Sequence, residues 1–184
     1  MTKLSTAIKA MLLVTMVFVL LGICPQTLTA ESRITTYYGL SIRYDESTAT
    51  IVRCLRTQTD YTIPATIKIG QNTITIVGIE KGAFYDCIDL RTLTIPDTVT
   101  SIGENAFMNC HNLTTVHMPA RLNNLGKGAF NHCSRLQSIT IPDGITAIGD
   151  TTFSGCSHLA VIRFPNSITH IGSSAFGDCS SLTT

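Results

Sequence analysis

The sequence predicts an α/β repeat solenoid. We expect a right-handed coil of 23-residue units with short concave β-strands and short helical turns, preceded by a β-rich N-terminal cap. Two observations support this prediction. Four residue types recur every 23 residues through the second half of the chain, and a short alternation of apolar and polar residues recurs with them. A fixed period of this length is typical of stacked repeats, in which each residue type keeps one place in every turn.

Phenylalanine, cysteine, leucine and proline mark the repeating positions. Five successive units run from Gly78 to Thr184 without insertion or deletion, and the last unit is incomplete. One unit cannot bury its own apolar side, so neighbouring units must stack to form the core. The recurring residues are Phe84, Phe107, Phe130, Phe153 and Phe176; Cys87, Cys110, Cys133, Cys156 and Cys179; Leu90, Leu113, Leu136, Leu159 and Leu182; and Pro96, Pro119, Pro142 and Pro165.

Each unit is predicted to contain a short helical turn followed by a strand. Ala83, Phe84 and Cys87 stand at spacings of three and four, which place them on one face of a helical turn. The next segment alternates apolar and polar residues, which predicts a short strand with Leu93 and Ile95 pointing inward. A proline then ends the strand, because proline cannot donate to a strand ladder.

Two features of the units predict special backbone. A recurring glycine follows the second apolar pair, where we expect a tight or left-handed turn, at Gly103, Gly126, Gly149 and Gly172. Two departures from the pattern occur, with Thr152 in place of the usual alanine and an atypical run at 120–124. These departures predict local irregularity within an unchanged fold.

Residues 31–77 precede the repeats and are predicted to form their cap. The runs Tyr37–Tyr44 and Thr48–Cys54 are rich in β-forming residues and flank the polar residues 45–47, so they predict a hairpin. Terminal repeats need such a cover. The chain stops at Thr184 in the middle of a strand pattern. Either it is a fragment of a longer protein, or its open edge associates with a second copy.

Residues 1–30 have the three-part pattern of a secretory signal peptide. Lys3 and Lys9 precede thirteen mostly apolar residues, and the segment ends in the small residue Ala30. The apolar run is shorter than the roughly twenty residues that a membrane span needs, so we expect export and cleavage with no membrane span remaining. An uncleaved anchor is the alternative. Cys24 lies in a weak lipobox-like context, which leaves lipid attachment as a third possibility.

Composition excludes two classes of protein. The chain has 184 residues with a net charge of +1, and 44% of the residues are hydrophobic. A chain this apolar and this close to neutral buries enough surface to fold, so intrinsic disorder is excluded. The charge is too small to concentrate on phosphates, which argues against a nucleic-acid binder.

The repeat also carries a family resemblance. Its pattern is Ile-Gly-x-x-Ala-Phe-x-x-Cys-x-x-Leu-x-x-Leu-x-Ile-Pro-x-x-Val-Thr, and it resembles the BspA-like leucine-rich repeat, also called the treponemal type. The resemblance covers Gly78 to Thr184, and the segment Tyr61–Pro64 is similar to the β-rich entry of that family. It implies a right-handed leucine-rich repeat coil in a secreted or surface-displayed protein. Members of the family act as adhesins toward host matrix proteins, host cells or other microbes.

The resemblance places a ligand-binding surface on the concave strand face. The partner it implies is a protein or glycan, which includes host extracellular matrix. His117, Val161 and Arg163 interrupt a column of hydroxyl residues and are the stronger candidates for specific contact. The alternative is a structural spacer or a truncated piece of a larger surface protein. The candidate residues are Thr92, Thr94, Thr115, His117, Ser138, Thr140, Val161 and Arg163.

The cysteines admit three interpretations: buried free thiols, disulfides or a metal ladder. Successive rungs lie about 4.8 Å apart with parallel side chains, whereas a disulfide needs converging Cβ atoms about 3.8 Å apart, so packing is favoured. Cys54 lies outside the ladder and could pair with an end rung.

No chemistry is predicted from the other side chains. The five histidines have no metal-ligand spacing, and the sequence contains no nucleophile elbow, phosphate loop or recurring pair of carboxylates. We therefore predict no catalytic residues, no cofactor and no enzyme activity.

Overall fold

The computed structural model describes residues 33–55 and 59–183, which belong to one compact unit from Ser32 to Thr184. The predicted signal peptide and Cys24 lie outside the described residues. The strands are β1 (Arg33–Tyr37), β2 (Leu40–Tyr44), β3 (Thr48–Cys54), β4 (Asp60–Thr62), β5 (Thr66–Ile69), β6 (Asn72–Ile79), β7 (Thr92–Thr94), β8 (Ser101–Ile102), β9 (Thr115–His117), β10 (Asn124–Leu125), β11 (Ser138–Thr140), β12 (Ala147–Ile148), β13 (Val161–Arg163) and β14 (His170–Ile171).

The first three strands form an antiparallel meander. β1 pairs with β2, and β2 pairs with β3, so the predicted hairpin is confirmed. The Asp45 carboxylate shapes the turn of this hairpin, because its Oδ1 accepts the backbone N–H groups of Ser47 and Thr48 at 2.8 and 2.7 Å. These hydrogen bonds lower the pKa of Asp45. β3 then pairs in parallel with β6, which joins the meander to the repeats.

Two parallel ladders run along the repeats. The wall ladder contains β4, β7 and β9, followed by β11 and β13. The second ladder contains β6, β8 and β10, followed by β12 and β14. We number coils 1 to 5 by their phenylalanines, from Phe84 in coil 1 to Phe176 in coil 5. The inward strand residues Leu93 and Ile95 are buried, as the alternation predicted.

The wall ladder begins before the first 23-residue unit. β4 pairs in parallel with β7, with Tyr61 opposite Leu93, so the Tyr61–Pro64 segment repeats the pattern of a later strand. These two residues are 32 positions apart, nine more than the period of the repeats. The additional residues form an antiparallel hairpin of β5 with β6.

The prediction of short helical turns is wrong. The segments around each alanine and phenylalanine are turns, and the described residues contain no helix. Two left-handed residues bracket each turn and prevent a helix from propagating. The first residues of the pairs are Gly82, Asn105, Gly128, Thr151 and Ser174, and the second residues are Asp86, Asn109, His132, Gly155 and Asp178, with φ between 50° and 76° throughout.

In coils 1 to 4 the central N–H group of the turn donates to a carbonyl of the next coil, whereas in a helix it would donate to a carbonyl of its own segment. The backbone N–H of Phe84 donates to Ala106 O at 2.7 Å, and that of Phe107 donates to Ala129 O at 2.8 Å. The donors one residue to either side of Phe84 complete the turn with bonds of the i to i−3 type, from Ala83 N to Glu80 O at 3.2 Å and from Tyr85 N to Gly82 O at 3.0 Å. Stacking, and not local helix propensity, therefore holds these segments together.

Columns of identical side chains form the core. The five phenylalanine rings stack with centroids 5.1 to 5.6 Å apart, and four of them are fully buried. Next to them run the repeat cysteines, which are buried from coil 1 to coil 4 and half-buried at Cys179. Each thiol from Cys110 onward donates to a phenylalanine carbonyl of the preceding coil at 3.1 or 3.2 Å. The packing interpretation is therefore confirmed for Cys110, Cys133 and Cys156, and burial raises the pKa of Cys156 to about 12.

Steric crowding explains the recurring glycines. The left-handed conformation expected at these positions is absent, so that expectation is wrong. None of the four has a positive φ. A Cβ at Gly103 would lie 2.5 Å from Lys81 N, and one at Gly126 would lie 2.4 Å from Glu104 N. Gly172 has a similar conflict at 2.6 Å with Asp150 N. The backbone of the preceding coil therefore excludes any side chain at these three positions.

Both ladders are interrupted between coils 2 and 3. Within the described residues, β9 does not pair with β11, and β10 does not pair with β12. The interruption coincides with the atypical run at 120–124, so the irregularity predicted there is confirmed. The turn at Thr152 keeps the regular pattern, with Phe130 N donating to Thr152 O at 2.9 Å, so the irregularity predicted at that position is wrong. On the turn side the two coils stay joined, since Asn105 N donates to Lys127 O at 2.9 Å and Asn109 N donates to Asn131 O at 2.9 Å. The solenoid is thus open on its strand side and closed on its turn side at one interface.

Candidate functional site

The candidate residues lie on the four strands of the wall ladder that belong to the repeats. In each strand the middle residue points into the core, and the two flanking residues point away from it. Exposure increases along the ladder: the flanking residues are half-buried on β7 and exposed on β11 and β13. We call this surface the strand face. It contains the eight predicted residues in two columns.

Register aligns the members of each column. Thr92 lies opposite Thr115, and Thr94 lies opposite His117. On the far side of the interruption Ser138 lies opposite Val161, and Thr140 lies opposite Arg163. One column therefore runs Thr92, Thr115, Ser138, Val161, and the other runs Thr94, His117, Thr140, Arg163.

Sequence reasoning missed the first members of both columns. Asp60 lies opposite Thr92, and Thr62 lies opposite Thr94, so β4 extends the strand face by one rung. Both residues are exposed. The signal was present in the similarity of Tyr61–Pro64 to the later strands, but the spacing of 32 in place of 23 concealed the shared register.

Four of the eight candidates line one depression of about 550 Å³. They are Thr115 and His117 on β9, with Ser138 and Thr140 on β11. Met118 and Asp143, which sequence reasoning did not select, also line the depression. Thr92, Thr94, Val161 and Arg163 lie outside this depression. The structure thus places four of the predicted residues in one depression and four outside it.

The depression lies at the interruption of the ladders. Gln137 N still donates to Thr114 O at 3.3 Å before the two strands separate. Beyond this bond β9 and β11 form no ladder pairs, and residues of both strands line the depression. Hydroxyls, an imidazole and a carboxylate are among the groups that line it. The arrangement can donate and accept hydrogen bonds from many directions at once.

Two ion pairs lie near the turns. Lys81 Nζ donates to Glu104 at 3.0 Å, and Lys127 Nζ donates to Asp150 at 2.7 Å. The Lys127 hydrogen bond lowers the pKa of Asp150, and Asp150 raises the pKa of Lys127. All four side chains are well exposed, so these pairs add little to stability.

Residues 33–55 and 59–183 contain no group of three His, Cys, Asp or Glu side chains placed to hold a metal ion. The same residues contain no helix that is long and apolar enough to cross a membrane.

The chain is similar to solved bacterial repeat proteins. A leucine rich cell surface protein from Faecalibacterium prausnitzii is 27% identical, with a TM-score of 0.60 over 83% of this chain and 54% of that protein. A leucine-rich repeat protein from Bacteroides ovatus is 25% identical, with a TM-score of 0.56 over 85% of this chain and 46% of that protein. This chain therefore spans about half the length of each of these two proteins.

A third structure supports the fold alone. A leucine-rich repeat protein from Bacteroides capillosus is 24% identical, with a TM-score of 0.57 over 76% of this chain and 97% of that protein. No curated protein matches the sequence.

The sequence profile of one family matches more than half of the chain. Its description is the BspA type leucine rich repeat region, and six copies cover residues 60–184. The match begins at β4, the strand that extends the wall ladder by one rung. The repeat pattern, the stacked coils and this match agree, and the chain belongs to the BspA-type leucine-rich repeat family.

Proposed function

We propose that this protein is secreted or held at the cell surface and binds a protein or glycan partner through its strand face. The observation that carries the proposal is the depression at the ladder interruption, where His117 and three hydroxyl side chains meet. Exposed hydroxyls on strands are common without any ligand. The same hydroxyls at an interruption of the ladder form a concave and polar site, which a flat threonine column does not provide.

Arg163 extends the proposed site along its column. It is exposed on β13, directly opposite Thr140, which lines the depression. Arginine presents five donors in a planar fork and is frequent at binding hot spots, so a partner seated on the depression would meet it at the edge. His117 in the depression and Arg163 beside it are therefore the residues to change together.

The binding test uses immobilised fibronectin and fibrinogen as probes. We expect the protein to bind one of them, and the double variant His117→Ala, Arg163→Glu to bind at least about 10-fold more weakly, because it removes two hot-spot side chains and reverses one charge. Surface plasmon resonance measures both affinities.

A matched double variant supplies the control. His111→Ala, Arg135→Glu makes the same changes at exposed positions outside the wall ladder. It should bind as the unaltered protein does. Equal losses in the two double variants would refute a site on the strand face, and no binding by the unaltered protein would favour a structural spacer.

We also propose that a second copy can stack on coil 4. Within the described residues β13 and β14 each have a ladder neighbour on one side only. Val161, Phe164 and Ile171 are 49%, 43% and 51% exposed there. Apolar side chains beside free strand edges favour association.

Light scattering tests this stacking. We expect the mass of a dimer at micromolar concentration, and Ile171→Lys should return the protein to a monomer, because it places a charge at the exposed edge of β14. A monomer across the whole concentration range would contradict the proposal.

A further inference from the structure

Cys54 occupies the place that phenylalanine holds in later coils. Its backbone N–H donates to Ala83 O at 2.6 Å. In the same way the N–H of Phe84 donates to Ala106 O at 2.7 Å. The backbone hydrogen-bond pattern of the coils therefore extends to the segment that precedes coil 1. In that segment a cysteine occupies the position that phenylalanine has in the coils.

Cys87 is the first thiol of the cysteine column, and Cys54 is its neighbour. Each later thiol donates to the phenylalanine carbonyl of the coil below, as Cys110 does to Phe84 O at 3.1 Å. For Cys87 the residue in that direction is Cys54, whose side chain forms a hydrogen bond with the Cys87 thiol. This hydrogen bond, with burial, raises the pKa of Cys87. Cys110 and Cys133 of the column form a side-chain hydrogen bond as well. What distinguishes Cys54 and Cys87 is that both line a depression at the surface.

An opening gives small molecules access to this pair. A depression of about 420 Å³ is lined by Cys54 and Cys87 together with Arg53, Tyr85 and Asp86. Cys54 is half-buried, whereas Cys110, Cys133 and Cys156 are fully buried. A small reagent can therefore reach Cys54 while the inner thiols stay protected.

We propose that Cys54 and Cys87 form a reversible disulfide that fastens β3 to coil 1, with a low-molecular-weight disulfide as the oxidant. The Cys54 thiolate attacks one sulfur of the small disulfide, which forms a mixed disulfide and releases one small thiol. The Cys87 thiolate then attacks the Cys54 sulfur and releases the second small thiol. The protein loses two electrons and two protons, and the small disulfide gains both.

Glutathione buffers of graded ratio test the proposal. After equilibration, free thiols are alkylated under denaturing conditions and the protein is digested with trypsin. In oxidising buffer we expect peptide 54–56 linked to peptide 82–91, with Cys110, Cys133, Cys156 and Cys179 alkylated. The melting temperature should rise by about 10 °C on oxidation, because the bond closes a loop in the unfolded chain.

Two variants separate this bond from general oxidation. Cys54→Ser should lose both the linked peptide and the rise in melting temperature. Cys179→Ser removes the other half-buried thiol and should keep both. Alkylation of Cys54 and Cys87 in the most oxidising buffer would overturn the proposal, as would glutathione retained on either residue or a linkage to any other cysteine.

Discussion

Phe130→Ala is expected to lower the free energy of unfolding by about 3–5 kcal/mol, which is a large part of the stability of a domain this size. Phe130 is fully buried in the middle of the ring stack, 5.1 Å from Phe107 and 5.6 Å from Phe153 between centroids. Its loss leaves a cavity that the neighbouring coils cannot close, because hydrogen bonds fix their spacing. Denaturation with urea measures the change.

Phe164 provides the matched control. It is 43% exposed and lies edge-to-face against Phe176, with 5.9 Å between the centroids. Phe164→Ala should cost about 1 kcal/mol, since one aromatic contact is lost and no internal cavity forms. Equal losses at Phe130 and Phe164 would contradict a core built on the ring stack.

Gly126→Ala is expected to lower the free energy of unfolding by at least about 2 kcal/mol. The new Cβ would lie 2.4 Å from Glu104 N and 2.5 Å from the carbonyl carbon of Gly103. Both atoms belong to backbone that is held in the second ladder by the pairing of β8 with β10. Relief of the overlap therefore requires the two coils to move apart.

The same substitution at Gly149 should cost less than about 1 kcal/mol. Gly149 holds the same repeat position, but its Cβ would lie 3.1 Å from a side-chain carbon of Lys127 and 3.2 Å from the Lys127 Cα. A small shift relieves both contacts, and β10 does not pair with β12 at this interface, so no ladder bond opposes that shift. Urea denaturation of both variants checks the difference, and similar costs would contradict the interruption of the second ladder.

The period of 23 residues predicted the stacked repeat fold and the positions of its wall strands correctly. Strand positions follow from the repeat because residues such as Leu93 alternate with threonines on both sides, and only one of the two faces can enter the core. The buried thiols of the inner coils were predictable for the same reason, since an identical place in every coil has an identical environment.

Two features depend on contacts that a local pattern does not record. Apolar residues at spacings of three and four fit a helical turn and also fit a turn bracketed by left-handed residues. The hydrogen bonds that select the second conformation go to another coil, so the local sequence does not show them. The pairing of β4 with β7 was concealed because the β5–β6 hairpin lies between them and makes their spacing longer than the 23-residue period. The atypical run 120–124 predicted irregularity but not its form, since a separation of strands depends on both coils.

The interruption between coils 2 and 3 also has a mechanical consequence. The turns stay bonded across this interface while both ladders are open, so backbone hydrogen bonds join the two coils along the phenylalanine side. Along the strands, the packing of buried side chains such as Leu122 and Ile145 holds the coils together. Cohesion at the level of His117 thus depends on the core and the turns, and not on a continuous sheet.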